Sequence, residues 1–247
     1  MKAFKTLFVS ELKLIIRDCN TIFFGVGFSA VLAVILGLVM GDKPAFEGAS
    51  YTMFEQSFGA VASIGIAATG LMGVPLALSD YRHRKILRRF KVTPVSPAIL
   101  LMVQLAVNFI ISIISLIGVY GVSALFFGFR LGENVGGFLL AYLIVLLSVF
   151  SIGMLVASVS PNMKAAELLC SILYFPMLLL SGATLPYEIM PKVLQKASDI
   201  LPLTQGIKLL KGAALGLPAE NVLAPIIIML AFIVICAAIS VRFFRWE

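Results

Sequence analysis

The sequence predicts an all-α membrane protein: six transmembrane helices, an N-terminal amphipathic interfacial helix, and an extracellular re-entrant helical hairpin before the last span. Three observations support this prediction: the composition, the spacing of the apolar segments and a proline-broken stretch late in the chain. Of the 247 residues, 61% are hydrophobic and 13% are charged, whereas soluble domains average about 45–50% and about 25%. A globule of this size has too small an interior for so many apolar side chains, so lipid must surround them.

Six apolar segments are each long enough to cross a bilayer, because about 20 apolar residues span a hydrocarbon core of about 30 Å. The segments fall at 21–41, 57–79, 98–128, 136–160, 165–183 and 221–241. We therefore expect the first five spans within residues 21–183 and the sixth span at 221–241.

The second apolar segment is rich in small residues, which let helix backbones approach one another closely. These residues include Gly59, Ala60, Ser63, Gly65, Ala67, Ala68, Gly70 and Gly73. The pattern predicts tight helix packing around the second span. Pro75 in this segment and Pro176 in the fifth allow kinks in their helices.

A basic stretch between the second and third spans predicts the orientation of the chain. Residues 81–91 read YRHRKILRRFK and carry six Lys or Arg side chains, and cytoplasmic loops have such an excess. With the N-terminus inside, thirteen of the 19 Lys and Arg residues lie on the cytoplasmic side. Six spans then return the C-terminus to the cytoplasm. We expect a multi-pass protein of the plasma membrane, and the short loops favour a bacterial cytoplasmic membrane.

Residues 1–20 have the pattern of an amphipathic helix. Their apolar side chains recur at helical spacing, with cations largely opposite; the apolar set is Phe4, Leu7, Phe8, Leu12 and Ile15. This pattern favours a helix lying on the inner membrane surface. The alternative is a simple anchor that precedes the first span.

Residues 184–216 differ from the rest of the chain because prolines break them before any part is long enough to span. Between Pro191 and Pro202, the apolar residues share one face of an amphipathic helix of about three turns. Broken helices at membrane depth must be buried in protein or line a cavity. We expect two short helices that dip into the outer leaflet, followed by a short helix at 204–214. A plain surface loop is the alternative.

The sequence lacks the motifs of several enzyme classes. It contains no GxxxxGK[ST] phosphate loop, no HExxH and no GxSxG, and His83 is its only histidine. We expect no catalytic residue, no metal site, no cofactor on this chain and no enzymatic activity of its own. The net charge of +7 comes from cations beside apolar spans, where membrane lipid headgroups are a better partner than nucleic acid.

Four polar residues share one face of the third span: Gln104, Asn108, Ser112 and Ser115. This stripe is either part of a translocation path or a set of helix–helix contacts. No ionised residue accompanies it, which favours helix contacts. The uncharged span centres also count against ion-coupled transport, which needs charged groups inside the spans.

The layout of the chain and two short motifs resemble the ABC-2 type permeases, the membrane subunits of one class of ATP-binding-cassette exporters. The motifs are Leu180-Ser181-Gly182 followed by Leu185-Pro186, and Leu201-Pro202-Leu203-Thr204. In that family a comparable segment closes the extracellular re-entrant hairpin, which here would include Pro186, Pro191, Pro202 and Thr204. The resemblance covers nearly the whole chain, so residues 1–247 would form a single transmembrane domain.

The resemblance implies that separate ABC ATPase subunits supply the energy and hold the ATP and Mg²⁺. They would bind the basic loop and the N-terminal helix. By position, the coupling helix would comprise Arg84, Lys85, Ile86, Leu87, Arg88, Arg89 and Phe90. Its apolar residues would occupy a groove of the ATPase, and Arg88 and Arg89 would contact the acidic rim of that groove or lipid phosphate. The alternative is a basic topology anchor with no partner.

Six spans would form half of a transporter, so the resemblance also implies a second permease copy or a paralogue. The small extracellular surface favours efflux of a hydrophobic or amphiphilic compound, such as a drug, an antibiotic or a lipid. Two alternatives belong to other classes: a membrane scaffold or sensor subunit that does not transport, and an ion-coupled secondary transporter.

Overall fold

The computed structural model describes residues 2–41, 43–45, 51–86, 97–132, 134–184, 187, 190–216 and 223–243. Six helices in these ranges are long and apolar enough to cross a membrane, which confirms the predicted fold class. The first to sixth spans are Phe23–Met40, Met53–His83, Ile99–Phe127, Val135–Val159, Met163–Leu180 and Leu223–Phe243. No β-strand occurs within the described ranges.

The first two spans are not regular α-helices throughout. A short helix, Cys19–Ile22, continues into the π-helical segment Phe23–Gly27 and then into the α-helix Phe28–Met40. The second span consists of the α-helix Met53–Ala67, the π-helical segment Ala68–Gly73 and the α-helix Val74–His83. Pro75 follows this segment closely, and its missing N–H removes a helical hydrogen bond where the π turn widens the helix.

Short polar caps set where several spans begin. Thr52 Oγ1 accepts a hydrogen bond from the Glu55 N–H (3.1 Å), and Glu55 Oε2 accepts one from the Thr52 N–H (2.7 Å). The Asn162 side chain accepts a hydrogen bond from the Ala165 N–H at the start of the fifth span. Each cap satisfies N–H groups that a helix start leaves without intrahelical partners.

The second span lies at the centre of the bundle, with 72% of its most apolar stretch buried, against 22% for the sixth span. It packs on the first, third, fourth and fifth spans, and the sixth span packs mainly on the fourth. The predicted role of its small residues is visible at Gly70 and Gly153. A Cβ added at Gly153 would overlap the Gly70 carbonyl oxygen and lie 3.4 Å from Pro75 Cδ. The two backbones therefore touch.

The N-terminal helix, Lys2–Arg17, packs against the third span. Leu7, Phe8, Leu12 and Ile15 of its predicted apolar face are half-buried, whereas Leu14 and Ile16 are more than half exposed. One side of the helix therefore contacts the bundle and another remains apolar and exposed. Its position in the membrane interface stays a prediction.

Between the fifth and sixth spans the structure describes two helices, the first connecting helix, Lys192–Ser198, and the second connecting helix, Pro202–Leu215. The first is seven residues long, which is shorter than the predicted three turns. The end of the predicted helix is not helical: Leu201 is extended, at φ −74° and ψ 129°, as expected for a residue that precedes proline.

The second connecting helix replaces the predicted helix 204–214 with slightly wider bounds. Pro202 opens it, where a missing N–H costs nothing, and Gly216 closes it at φ +64°. The helix packs on the second, fourth and sixth spans. The other predicted short helix falls mainly on residues 185–189, of which only residue 187 is described. Whether this region re-enters the membrane stays a prediction.

We predict that Gly153→Ala lowers the free energy of unfolding by about 1–3 kcal/mol, because the new methyl group must separate two touching backbones. Gly121→Ala is the matched control, since a Cβ there has no neighbour within 4 Å. Thermal unfolding of both purified variants in the same detergent measures the difference. Equal melting temperatures would contradict the contact.

Candidate functional site

A cavity of about 740 Å³ lies among the N-terminal helix and the first, second, third and fifth spans. It reaches from Asp80 and Tyr81, where the second span approaches the basic loop, to Phe28 and Leu178 deeper in the bundle. We call this end of the molecule the basic-loop end. The volume lies within the range of about 300–1,000 Å³ that small-molecule sites occupy.

Two exposed aromatic residues, one in the first span and one in the fifth, line the cavity. Phe24 is 55% exposed and Phe175 is 54% exposed. In a bilayer, residues that both line a cavity and are exposed at the bundle surface would face lipid. We infer a sideways opening between these two spans that offers a route between the cavity and the membrane.

A buried glutamine joins three segments at the floor of the cavity. Gln104 Nε2 donates hydrogen bonds to Glu11 Oε2 (2.8 Å) in the N-terminal helix and to the Tyr81 hydroxyl (2.6 Å) in the second span. Gln104 itself lies in the third span and is 1% exposed. We call this cluster the Gln104 junction.

Two carbonyl oxygens of cavity-lining side chains are buried and have no hydrogen-bond donor: Gln104 Oε1 and Asn108 Oδ1. Asn108 Nδ2 is satisfied, because it donates to the Gln104 carbonyl (2.9 Å). Buried polar atoms usually have a hydrogen-bond partner. These two oxygens can therefore accept a hydrogen bond from a ligand or from water.

The structure divides the predicted polar stripe into two pairs. Gln104 and Asn108 line the cavity. Ser112 Oγ forms a hydrogen bond with Thr69 Oγ1 (2.6 Å) of the second span. Ser115 Oγ forms one with Ser29 Oγ (2.8 Å) of the first. The two serines therefore connect neighbouring helices.

The start of the predicted coupling segment is described and the rest is not. Arg84 forms an ion pair with Asp80 (2.9 Å), and its side chain is 68% exposed. The hydrogen bond that Arg84 Nε donates to Asp80 Oδ1 and the negative charge of Asp80 raise the pKa of Arg84. Lys85, at φ +56°, follows the end of the second span, and Ile86 is half-buried. Leu87, Arg88, Arg89 and Phe90 lie outside the described residues.

Arg82 joins the end of the second span to the end of the fourth. Its Nη1 donates to the Ser160 carbonyl and its Nη2 to the Ala157 carbonyl, both at 2.7 Å. The last carbonyls of a helix lack intrahelical donors and carry partial negative charge. One planar guanidinium satisfies two of them at once.

The two family-like motifs meet at the opposite end of the bundle, which we call the hairpin end. Ser181, Gly182 and Thr204 line a cavity of about 350 Å³ together with Lys208 and Lys211. Pro202 is buried, whereas Pro191 is exposed. Pro186 lies outside the described residues.

Polar side chains hold the connecting segment at the hairpin end. Asp199 Oδ1 accepts hydrogen bonds from the Tyr187 hydroxyl (2.9 Å) and from Lys208 Nζ (2.6 Å). Lys208 Nζ also lies 4.7 Å from the centre of the Tyr187 ring. Burial opposes the ionised form of Asp199, but the hydrogen bonds from Lys208 and Tyr187 and the Lys208 charge lower its pKa overall.

Glu11, Tyr81 and Thr69 line the cavity, although no sequence motif marks them as site residues. Glu11 was the only acidic residue in an otherwise basic N-terminal helix, which was the one available signal. Tyr81 and Thr69 carried no signal, because their partners lie on other helices. In the part of the chain that the structure describes, no three His, Cys, Asp or Glu side chains form a metal-binding group.

Comparisons with known proteins agree with the layout. A family model described as ABC-2 type transporter matches residues 2–215. Nodulation protein J of Rhizobium leguminosarum bv. viciae is 32% identical over 95 residues, which are 38% of this chain and 37% of that protein. Nodulation protein J of Neorhizobium galegae is 30% identical over 95 residues, 38% of this chain and 36% of the relative. The similarity thus spans little more than a third of these relatives.

We predict that Arg82→Lys lowers the free energy of unfolding by about 1.5–3 kcal/mol, because lysine cannot donate to both carbonyls in the same geometry. Arg84→Lys is the control; its ion pair is exposed and should contribute less than about 1 kcal/mol. Thermal unfolding in one detergent compares them. Equal losses would show that the Arg82 contact with the fourth span is unimportant.

We predict a small, pH-dependent effect of Asp199→Asn. Because the folded pKa of Asp199 is lowered, its contribution is complete above the ordinary aspartate value of about 3.9 and is lost as pH falls through the folded pKa. The exposed pair should contribute less than about 1 kcal/mol. The melting temperatures of wild type and variant should therefore differ at pH 7 and converge in strong acid. A difference that stays constant down to acid pH would contradict this assignment.

Proposed function

Because the chain belongs to the ABC-2 type transporter family, we propose that it forms half of the translocation pathway of an ATP-driven exporter. The compound moved is hydrophobic or amphiphilic, for example a drug, an antibiotic or a lipid. The chain itself has no enzymatic role, and ATP and Mg²⁺ belong to a separate ABC ATPase. A second permease copy or a paralogue completes the pathway.

One observation carries this proposal: the 740 Å³ cavity lies at the same end as the basic loop and is lined mostly by apolar side chains. A compound with an apolar body fits such a lining, and the sideways opening beside Phe24 and Phe175 lets it enter from lipid. With the basic loop in the cytoplasm, this entry lies on the inner side of the membrane.

The Gln104 junction supplies a mechanical link between the proposed ATPase contacts and the cavity. The N-terminal helix and the end of the second span are the two segments proposed to meet the ATPase. Both are hydrogen-bonded to Gln104, which lines the cavity. A displacement of either segment must therefore move a wall of the cavity or break a buried hydrogen bond.

The proposed contact with the ATPase centres on residues 84–90. Ile86, Leu87 and Phe90 provide its apolar side, while Arg84, Lys85, Arg88 and Arg89 face acidic groups of the partner or lipid phosphate. At the other end, Pro186, Pro191, Pro202 and Thr204 belong to an extracellular re-entrant hairpin. The buried position of the second connecting helix among three spans supports this assignment.

The first experiment is co-purification of the chain with its ABC ATPase, followed by ATP-dependent transport of a fluorescent amphiphile in proteoliposomes. Ile86→Asp and Phe90→Asp should each abolish the complex, because a charge cannot be buried in an apolar groove without a partner. Val193→Asp is the matched control: Val193 is 79% exposed and lies at the hairpin end.

Each outcome bears on a different part of the proposal. A complex that survives both loop substitutions would overturn the assignment of residues 84–90. A stable complex without ATP-dependent transport would favour a scaffold or sensor subunit. Transport that follows an ion gradient and ignores ATP would identify a secondary transporter.

A further inference from the structure

The charged side chains that line the cavity all carry the same sign. They are Glu11, Asp18 and Asp80, and no Lys, Arg or His among the described residues lines it. Arg84 pairs with Asp80 from outside the cavity lining. Glu11 accepts its hydrogen bond from the neutral amide of Gln104, so that contact leaves its negative charge uncompensated.

Two unpaired oxygens, Gln104 Oε1 and Asn108 Oδ1, independently add partial negative charge to the cavity lining. Both residues are 1% exposed, and both line the cavity. A carbonyl oxygen carries partial negative charge and attracts a cation or a hydrogen-bond donor. Neither oxygen offers anything to an anion.

Aromatic rings supply a third feature that suits a cation. Phe24, Phe28, Tyr174 and Phe175 line the cavity. Ring faces attract cations, and they also contact apolar groups. The lining therefore combines negative charge, acceptor oxygens and aromatic surface within one space.

We propose that the cavity selects a lipophilic cation, with the charged centre towards Glu11 and Gln104 and the apolar body towards Phe24, Phe28 and Phe175. This inference rests on the proposed function and specifies the charge of its substrate. An anion of the same size and shape would meet like charges with no compensating cation among the described lining residues, which is how a site rejects a competitor.

Tetraphenylphosphonium and tetraphenylborate test the inference directly, because they share size and shape and differ in the sign of the charge. Binding to the purified full-length chain in an uncharged detergent is measured by equilibrium dialysis, in the absence of a membrane potential. The phosphonium should bind about tenfold more tightly or better, since several negative groups surround a partly desolvated site.

Glu11→Gln should weaken phosphonium binding about five- to tenfold and leave borate binding unchanged or stronger. Glu167→Gln is the matched control, because Glu167 lies exposed on the fifth span and is not among the cavity-lining residues. If Glu11→Gln does not fold, Asp18→Asn replaces it, because Asp18 is an exposed residue at the cavity wall.

A cavity-filling variant, Ala77→Phe, separates this inference from the proposed function. If Ala77→Phe weakens both probes but the wild-type chain binds them equally, the cavity is an amphiphile site and the charge preference is wrong. If Ala77→Phe affects neither probe, the cavity is not their site, and the inference fails with the cavity's proposed role. The inference is supported if the wild-type chain prefers the phosphonium, if this preference depends on Glu11, and if Ala77→Phe abolishes it.

Discussion

The close approach of the second and fourth spans at Gly70 and Gly153 is the constraint on which the rest of the bundle depends. Lipid tails are as apolar as the helices, so burial of apolar surface does not drive helices together in a membrane, and tight packing must do so. Backbones that touch here fix the second span at the centre. From that position it contacts four other spans and supplies one wall of the cavity.

Polar contacts add the specificity that apolar packing lacks. Ser29 with Ser115 and Thr69 with Ser112 connect the first three spans, and Arg82 ties the second span to the fourth. Such contacts are directional, so they select one register of neighbouring helices. The Gln104 junction belongs to the same group but faces the cavity, which places a structural hydrogen bond in the cavity wall.

The two ends of the bundle differ in chemistry. The cavity at the basic-loop end has carboxylates and acceptor oxygens in its lining, whereas the smaller cavity at the hairpin end has Lys208 and Lys211. Lys208 is itself paired with Asp199, so acidic and basic groups both occur at the hairpin end. At the basic-loop end, the charged residues among the described lining are all carboxylates.

The sequence by itself determined the fold class, because apolar segment lengths and the placement of Lys and Arg are local properties that a bilayer imposes. It also located the polar stripe of the third span and the prolines around the second connecting helix. The tertiary structure alone decided which stripe residues face a cavity and which join helices. Gln104 meets Glu11 across 93 positions of the chain and Arg82 meets Ser160 across 78. Such contacts depend on how the spans pack, and no spacing within one segment encodes them.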